Sequence, residues 1–236
     1  MTTQPIPAGS RPEHIDAYLS GLDRYNPETV STFQDYVQLQ CENQTYDAMS
    51  NLALLKLYQF NPHLTRDETI TNILVKALLV FPSPDFSLCL HLLPPNVLDA
   101  NTATDDLSAA VRKLCVLNEL IESASYREFW TAYESDDLYA DLVADCAGFE
   151  ETMRDAIALQ ISMIAREVKK DFVQGSLNVN DDNLTPLLQR YGWTVEGDMI
   201  KIPINKENEA KTMVFRESVA FNQFQGVVRR GFEQAA

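Results

Sequence analysis

The stretch DDNLTPLLQRYGWTVEGDMIKIP, residues 181–203, predicts a short helix followed by a hairpin of two strands. Asn180 or Asp181 caps the helix, leucines recur along it at helical spacing, and Gly192 ends it. In WTV and MIKIP, apolar residues alternate with polar ones around the turn EGD, as in two paired strands. Because helices precede this unit, the combination is typical of a winged helix.

The composition of the chain changes near residue 173. Residues 1–172 carry 26 acidic and 12 basic side chains, whereas residues 173–236 carry 8 and 7. This change separates an acidic helical part from a nearly neutral C-terminal part. We predict four regions: a flexible N-terminus over residues 1–10, a helical-repeat domain over 11–148, a winged-helix domain over 149–213 that starts with a long helix at 149–172, and a C-terminal helix or tail over 214–236.

Helix starts recur at a regular spacing in the acidic part. Each combines a capping residue, often with a proline or an acid after it, with apolar residues at helical spacing. Alternate starts lie 32 to 42 residues apart, with a shorter step at the end, as expected for stacked helical hairpins, although an irregular helical domain fits the same pattern. The predicted fold class is mainly α, with HEAT- or TPR-like stacked helical hairpins followed by a winged-helix domain with a small β-hairpin. The starts lie near Pro12, Pro27, Tyr46, Asp67, Pro84, Asp105, Tyr126, Asp137 and Phe149.

Charge limits the partners that this chain can bind. The formal net charge is −15, so the surface repels nucleic acid and anionic lipid. The helix from Asp181 to Arg190 begins with two aspartates and has a single cation, which is unfavourable in a DNA groove. The N-terminus lacks the basic flank and apolar run of a secretory signal, and no apolar stretch reaches membrane-spanning length. We predict a cytoplasmic protein that binds neither DNA nor membrane.

No arrangement of residues predicts catalysis or a cofactor. Cys41, Cys89, Cys115 and Cys146 form no CxxC pair and are predicted to be reduced, mostly buried thiols. The three histidines are isolated, and neither a nucleophile motif such as G-x-S-x-G nor a phosphate-binding glycine loop occurs. We therefore predict that the protein is not an enzyme, has no catalytic, cofactor-binding or metal-binding residues, and takes no small-molecule substrate.

One acidic pattern leaves an alternative open. Asp137, Asp141 and Asp145 recur at i, i+4 and i+8, so that one helix face could offer three carboxylates to a hard metal ion. Carboxylate metal sites in helical bundles usually include histidine and ligands from several helices, and no histidine accompanies these acids. A solvated acidic face is the preferred interpretation, and a metal-dependent enzyme is the alternative.

The C-terminal segment ESVAFNQFQGVVRRGFE, residues 217–233, predicts an amphipathic helix. Its apolar face contains Phe221, Phe224, Val228 and Phe232. Little chain remains to cover this face, so we expect it to be exposed in the isolated chain.

Several long runs of residues resemble a known family. The run GLDRYNPETVSTFQDYVQLQCENQTYDAMSNLALLKLYQFNP, residues 21–62, closely resembles the k subunits of eukaryotic translation initiation factor three. The similarity continues through VKALLVFPSPDFSLC at 75–89, REFW at 127–130 and QRYGW at 189–193. Residues 204–236 match that family weakly, and the connector from Pro94 to Thr104 is longer than is usual in it.

This resemblance implies a fold, partners and a role. The implied fold is a helical repeat followed by a winged helix, the PCI arrangement shared by proteasome-lid, signalosome and initiation-factor subunits. The implied role is that of a non-catalytic subunit that binds other subunits of the factor, chiefly subunit l. That complex binds the small ribosomal subunit and promotes recruitment of initiator tRNA and mRNA. A scaffold subunit of a proteasome-lid or signalosome-like assembly is the alternative.

The resemblance also suggests which residues bind partners. Winged helices of such assemblies pair edge to edge, and their terminal helices gather into a bundle. We therefore expect the strand edges at Trp193 and Val195 and at Ile200 and Ile202 to extend a partner's sheet. The apolar face of the tail helix is expected to dock at the same time.

Overall fold

The computed structural model describes residues 11–98, 106–210 and 221–233. Within these residues the chain is mainly helical with one small sheet, which confirms the predicted fold class. The α-helices are α1 (Glu13–Ser20), α2 (Val30–Glu42), α3 (Ala48–Phe60), α4 (Asp67–Leu78), α5 (Asp85–Leu90), α6 (Pro95–Leu98), α7 (Asp106–Glu122), α8 (Tyr126–Glu134), α9 (Asp137–Val143), α10 (Phe149–Ile164), α11 (Lys170–Leu177), α12 (Asp181–Tyr191) and α13 (Phe221–Glu233). Three short 3-10 helices cover Leu22–Tyr25, Pro27–Thr29 and Pro62–Leu64, and the strands are β1 (Glu167–Lys169), β2 (Thr194–Glu196) and β3 (Met199–Lys201).

Capping side chains set several helix starts. The carboxylate of Asp47 accepts the backbone N–H of Ser50, so α3 begins directly after Asp47. Asp136 accepts the N–H of Leu138 in the same way at the start of α9. Capping by side-chain oxygens explains why the sequence predicts these starts within a residue or two.

Helices α1 to α12 pack around one continuous apolar core, to which the described side chains of α13 do not contribute. Helix α4 lies at its centre, and every residue from Thr69 to Leu78 is buried. Helix α3 is buried along most of its length, but Phe60 in its last turn is 61% exposed, with the Lys56 ammonium 4.9 Å from the ring centre. The apolar run at residues 51–60 is therefore not covered on every side.

The winged-helix region contains a third strand that the local sequence pattern does not predict. The predicted helix over residues 149–172 is wrong, because α10 ends at Ile164 and Glu167–Lys169 forms β1. This strand pairs antiparallel with β3 and places Val168 opposite Ile200. Pairing with a strand that lies 30 residues later overrides the local helical pattern, since strand formation depends on the partner strand.

A helical turn also occupies part of the predicted polar connector. Pro95 begins α6, and Val97 within it is buried. Proline suits the first turn of a helix because its missing N–H would have no partner there. Pro95 therefore starts a new helical turn after α5 has ended at Leu90.

Trp130 joins the helical array to the winged-helix region. Its indole Nε1 donates to the backbone oxygen of Ser176 in α11 at 2.9 Å, and the Arg154 guanidinium lies 5.1 Å from its ring centre. The apolar core runs without interruption through this contact. The predicted boundaries of 11–148 and 149–213 remain predictions, and residues 1–10, 99–105, 211–220 and 234–236 lie outside the described part.

Asp47 also connects α2 and α3 to the segment before α1, since it accepts hydrogen bonds from Arg11 Nη2 at 2.9 Å and from the Tyr36 hydroxyl at 3.4 Å. Burial, reinforced by the Asp47 charge, raises the pKa of Tyr36 to about 12 from the ordinary value of 10.0. Between these values the unfolded chain loses the phenol proton while the folded chain keeps it. The unfolded state then binds fewer protons, so the stability of the wild type falls as the pH rises.

Replacing Tyr36 with phenylalanine tests this linkage. We expect Y36F to lose about 1 kcal/mol of stability at pH 7, because one buried hydrogen bond is removed. The difference in the free energy of unfolding between variant and wild type should shrink and then change sign as the pH rises from 10 to 12. Over this range the wild type loses more stability than the hydrogen bond contributes, and the variant has no phenol to ionise. Urea unfolding followed by circular dichroism at several pH values measures both effects. An equal difference at pH 7 and at pH 11.5 would contradict the assignment.

Candidate protein-binding surfaces

Hydrogen bonding in the sheet alternates along β3. The sheet has the order β1-β3-β2, so β3 is the central strand. The N–H of Ile202 donates to Arg166 O at 2.8 Å, and the N–H of Lys170 donates to Asp198 O at 2.9 Å. Even-numbered residues of β3 therefore direct their backbone polar groups toward β1, and odd-numbered ones direct theirs toward β2.

This alternation leaves the backbone of Val195 facing away from the sheet. Val195 lies opposite Ile200, whose polar groups are used by β1, so the N–H and C=O of Val195 point to the outer edge of β2. Within residues 11–98, 106–210 and 221–233, no strand pairs with that edge. The Val195 side chain is half-exposed. One predicted binding residue thus lies on an open strand edge that another strand can join.

The other three predicted residues of the hairpin lie in the core. Trp193, Ile200 and Ile202 are all buried. The expectation that residues 200–202 form a free edge is wrong, because β1 occupies that side of β3. Since their side chains pack inward, these three residues position the edge strand and do not present a surface of their own.

Helix α13 carries the second predicted surface. Phe224 and Val228 are each 51% exposed and Phe232 is 76% exposed, and their i, i+4, i+8 spacing places them in one stripe. The helix begins at Phe221, whose side chain lies outside the described part of the structure. Three large apolar side chains therefore face solvent together, which is typical of a protein-binding helix.

The structure shows a third exposed apolar surface, which the sequence pattern did not predict. Ile164 at the end of α10 is 79% exposed and Ile204 after β3 is 68% exposed, and Leu159 and Met163 of α10 are also exposed. Beside Leu159 lies a cavity of about 410 Å³ that is also lined by Trp193. The sequence signal for this surface is the run ISMI at 161–164, because its apolar residues lie on faces that one helix cannot bury together.

The acidic pattern near residue 140 does not form a continuous helix face. Helix α9 ends at Val143, so Asp145 lies beyond it and accepts a hydrogen bond from Asn72 Nδ2 at 3.2 Å. Asp136 caps α9 and forms an ion pair with Lys113. Among the described residues, no group of three or more metal-binding side chains converges. Asp137, Asp141 and Asp145 therefore do not share one continuous helix face, which the alternative of a metal site requires.

None of the helices in residues 11–98, 106–210 and 221–233 combines the length and apolar character needed to cross a membrane.

Comparison with known proteins identifies the family of the chain. A family model described as the CSN8/PSMD8/EIF3K family matches residues 64–214. The chain is 57% identical to eukaryotic translation initiation factor 3 subunit K of Sclerotinia sclerotiorum and 56% identical to that of Botryotinia fuckeliana, over 97% of both chains in each case. It is 51% identical to the subunit K of Aspergillus fumigatus over 96% of both chains. The chain therefore belongs to the CSN8/PSMD8/EIF3K family and, within it, to the subunit K family of eukaryotic translation initiation factor 3.

Proposed function

We propose that the chain is a non-catalytic scaffold subunit of translation initiation factor 3 that works in the cytoplasm. It binds other subunits of the factor, chiefly subunit l, and thereby supports recruitment of mRNA and initiator tRNA to the small ribosomal subunit. The observation that carries this proposal is the exposed stripe of Phe224, Val228 and Phe232 on α13. Exposure of such an apolar stripe to water is unfavourable in free energy, and packing against a partner helix removes this exposure.

Two surfaces contribute to partner binding in different ways. The open edge of β2 supplies backbone donors and acceptors, which fix the orientation and register of a partner strand. The stripe on α13 supplies affinity, since each large apolar side chain that becomes buried contributes about 1.5–3 kcal/mol. Together, the strand and the helix hold a partner at two separate places.

The charge of the chain favours protein partners over direct ribosomal RNA contact. A net charge of −15 repels RNA phosphates. Near the exposed edge, Lys201 forms an ion pair with Glu196, so this cation is already neutralised. The chain accordingly reaches the small ribosomal subunit through the other subunits of the complex.

Replacing Val195 with proline tests the edge. Proline lacks the N–H that a partner strand would accept, yet the bonds between β2 and β3 are made by Thr194 and Glu196 and remain. We expect V195P to weaken binding to subunit l by about tenfold, equivalent to about 1–1.5 kcal/mol for one lost hydrogen bond. Titration of the purified chain against subunit l by calorimetry measures this change.

Val195→Thr is the matched control, because it keeps the backbone donor and the shape of the side chain. The control should bind like the wild type. If V195P also binds with unchanged affinity while circular dichroism shows a folded chain, the β2 edge does not pair with a partner.

A further inference from the structure

Two cysteines that are distant in sequence meet in the core of the helical array. Cys41 lies in the last turn of α2, and Cys146 lies between α9 and α10. Their Sγ atoms are 3.5 Å apart, with the Cys146 thiol donating to the Cys41 sulfur, and both residues are buried. Because 105 positions separate them, the contact joins two remote parts of the chain.

Neighbouring contacts hold both cysteines in place. The N–H of Ala147 donates to the backbone oxygen of Cys41 at 3.3 Å. Gly148 has φ of +67°, and a Cβ there would lie 2.4 Å from Gln44 Nε2, so the two segments pack closely. The sulfur atoms therefore face each other in a fixed arrangement, and a small movement of either side chain brings them within bonding distance.

A buried cation makes the two thiols unequal. Lys76 is almost fully buried, and its ammonium donates to the Gln40 backbone oxygen at 3.0 Å. The hydrogen bond from Cys146 and the positive charge of Lys76 lower the pKa of Cys41. The same hydrogen bond, together with burial, raises the pKa of Cys146. Because the Cys146 thiol directs its proton at the Cys41 sulfur, the geometry also makes Cys41 the sulfur that attacks.

Cys41 also lines a small polar cavity. The cavity has a volume of about 210 Å³, and Gln38, Asn72 and Asp145 contribute to its wall. This space accommodates a molecule the size of hydrogen peroxide. Polar groups in the wall can hydrogen-bond an oxygen-containing reagent beside the sulfur.

We propose that Cys41 and Cys146 form a redox site at which a hydroperoxide converts the two thiols into an intramolecular disulfide. The Cys41 thiol loses its proton and its sulfur attacks one peroxide oxygen. The O–O bond breaks, the leaving oxygen takes up that proton and departs as an alcohol or water, and Cys41 becomes a sulfenic acid. The Cys146 sulfur then attacks the Cys41 sulfur, the S–O bond breaks, and water leaves with the Cys146 proton. One peroxide is reduced by two electrons and two thiols are oxidised.

The disulfide would tie α2 to the junction of α9 and α10. Closing a loop of about 100 residues restricts the unfolded chain strongly, so the thermal midpoint should rise by about 10 °C. Since the bond lies inside the helical array, its formation does not require the surfaces on β2 and α13.

Peroxide titration of the full-length protein, followed by alkylation and non-reducing peptide mapping, tests this site. We expect a peptide pair linked through Cys41 and Cys146, the loss of two thiols per chain, and the rise in thermal midpoint. Cys115, which is half-buried and whose pKa burial raises, serves as the internal comparison and should react more slowly.

The variant Cys146→Ser separates the two chemical steps. It should form no linked pair and should accumulate a Cys41 sulfenic acid that dimedone traps. The proposal is overturned if Cys41 and Cys146 of the peroxide-treated folded wild type are still free thiols, as shown by alkylation after quenching and denaturation, while Cys115 is oxidised, or if the pair links only when peroxide is added in denaturant. Mapping of the wild type decides this even where the variant does not fold.

Discussion

Replacing Phe224 and Phe232 with aspartate is expected to abolish co-purification of the chain with the other subunits of initiation factor 3. Both side chains are exposed on one stripe of α13, so the change should leave the stability of the isolated chain unaltered. In the complex it removes two buried apolar side chains and forces two carboxylates into their place. The loss of affinity should be at least about 100-fold, or about 3 kcal/mol.

Arg230→Asp is the matched control for this double variant. It changes the net charge by the same amount, and Arg230 lies on the opposite side of the α13 helix from the apolar stripe. The control should co-purify like the wild type. If the double aspartate variant also co-purifies at the wild-type level, the stripe on α13 does not bind a partner.

The largest expected effect on stability comes from Trp130→Ala. The indole ring is buried, packs edge-on against Phe129 and Tyr133, and donates its N–H to Ser176 O at 2.9 Å. Truncation leaves a large cavity where α8 meets α11 and removes the only donor on this ring. We expect a loss of about 3–5 kcal/mol in the free energy of unfolding, measured by urea denaturation followed by circular dichroism.

Trp130→Phe separates packing from hydrogen bonding at the same place. Phenylalanine keeps most of the buried ring but lacks the N–H donor. W130F should therefore lose less stability than W130A, with a total loss of about 1–2 kcal/mol in the free energy of unfolding. Equal stability losses in the two variants would mean that the hydrogen bond, and not the packing, joins the winged-helix region to the array.

Local signals explain why most helices could be predicted from the sequence. Asp47 and Asp136 place a carboxylate beside unpaired N–H groups at a helix start, and these interactions depend on residues two or three positions away. Gly192 ends α12 with φ of +70°, a conformation that glycine adopts without strain. Both kinds of signal can be recognised without knowing the tertiary structure.

The features that were missed depend on distant residues. Glu167–Lys169 becomes a strand because β3 lies beside it, and a local pattern of apolar residues cannot show this. Because β1 was not predicted, Ile200 and Ile202 were expected to lie on a free strand edge, whereas β1 pairs with that edge of β3. The contact of Cys41 with Cys146 likewise follows only from the packing of α2 against the junction of α9 and α10.

Among the candidate binding residues, exposure separates two groups. Val195, Phe224, Val228 and Phe232 are exposed, as binding requires, whereas the buried residues of the hairpin shape the sheet. Alternation along a short strand shows which side chains share a face, but it does not show which face the helices cover. That information appears only when α10, α11 and α12 pack on the sheet.

Native mass spectrometry of the complex that co-purifies with a tagged copy of the chain tests the central claim most directly. The account predicts a complex of initiation factor 3 subunits that contains subunit l and that sediments with small ribosomal subunits. Recovery of proteasome-lid or signalosome subunits, or of the chain without any initiation factor subunit, would contradict it.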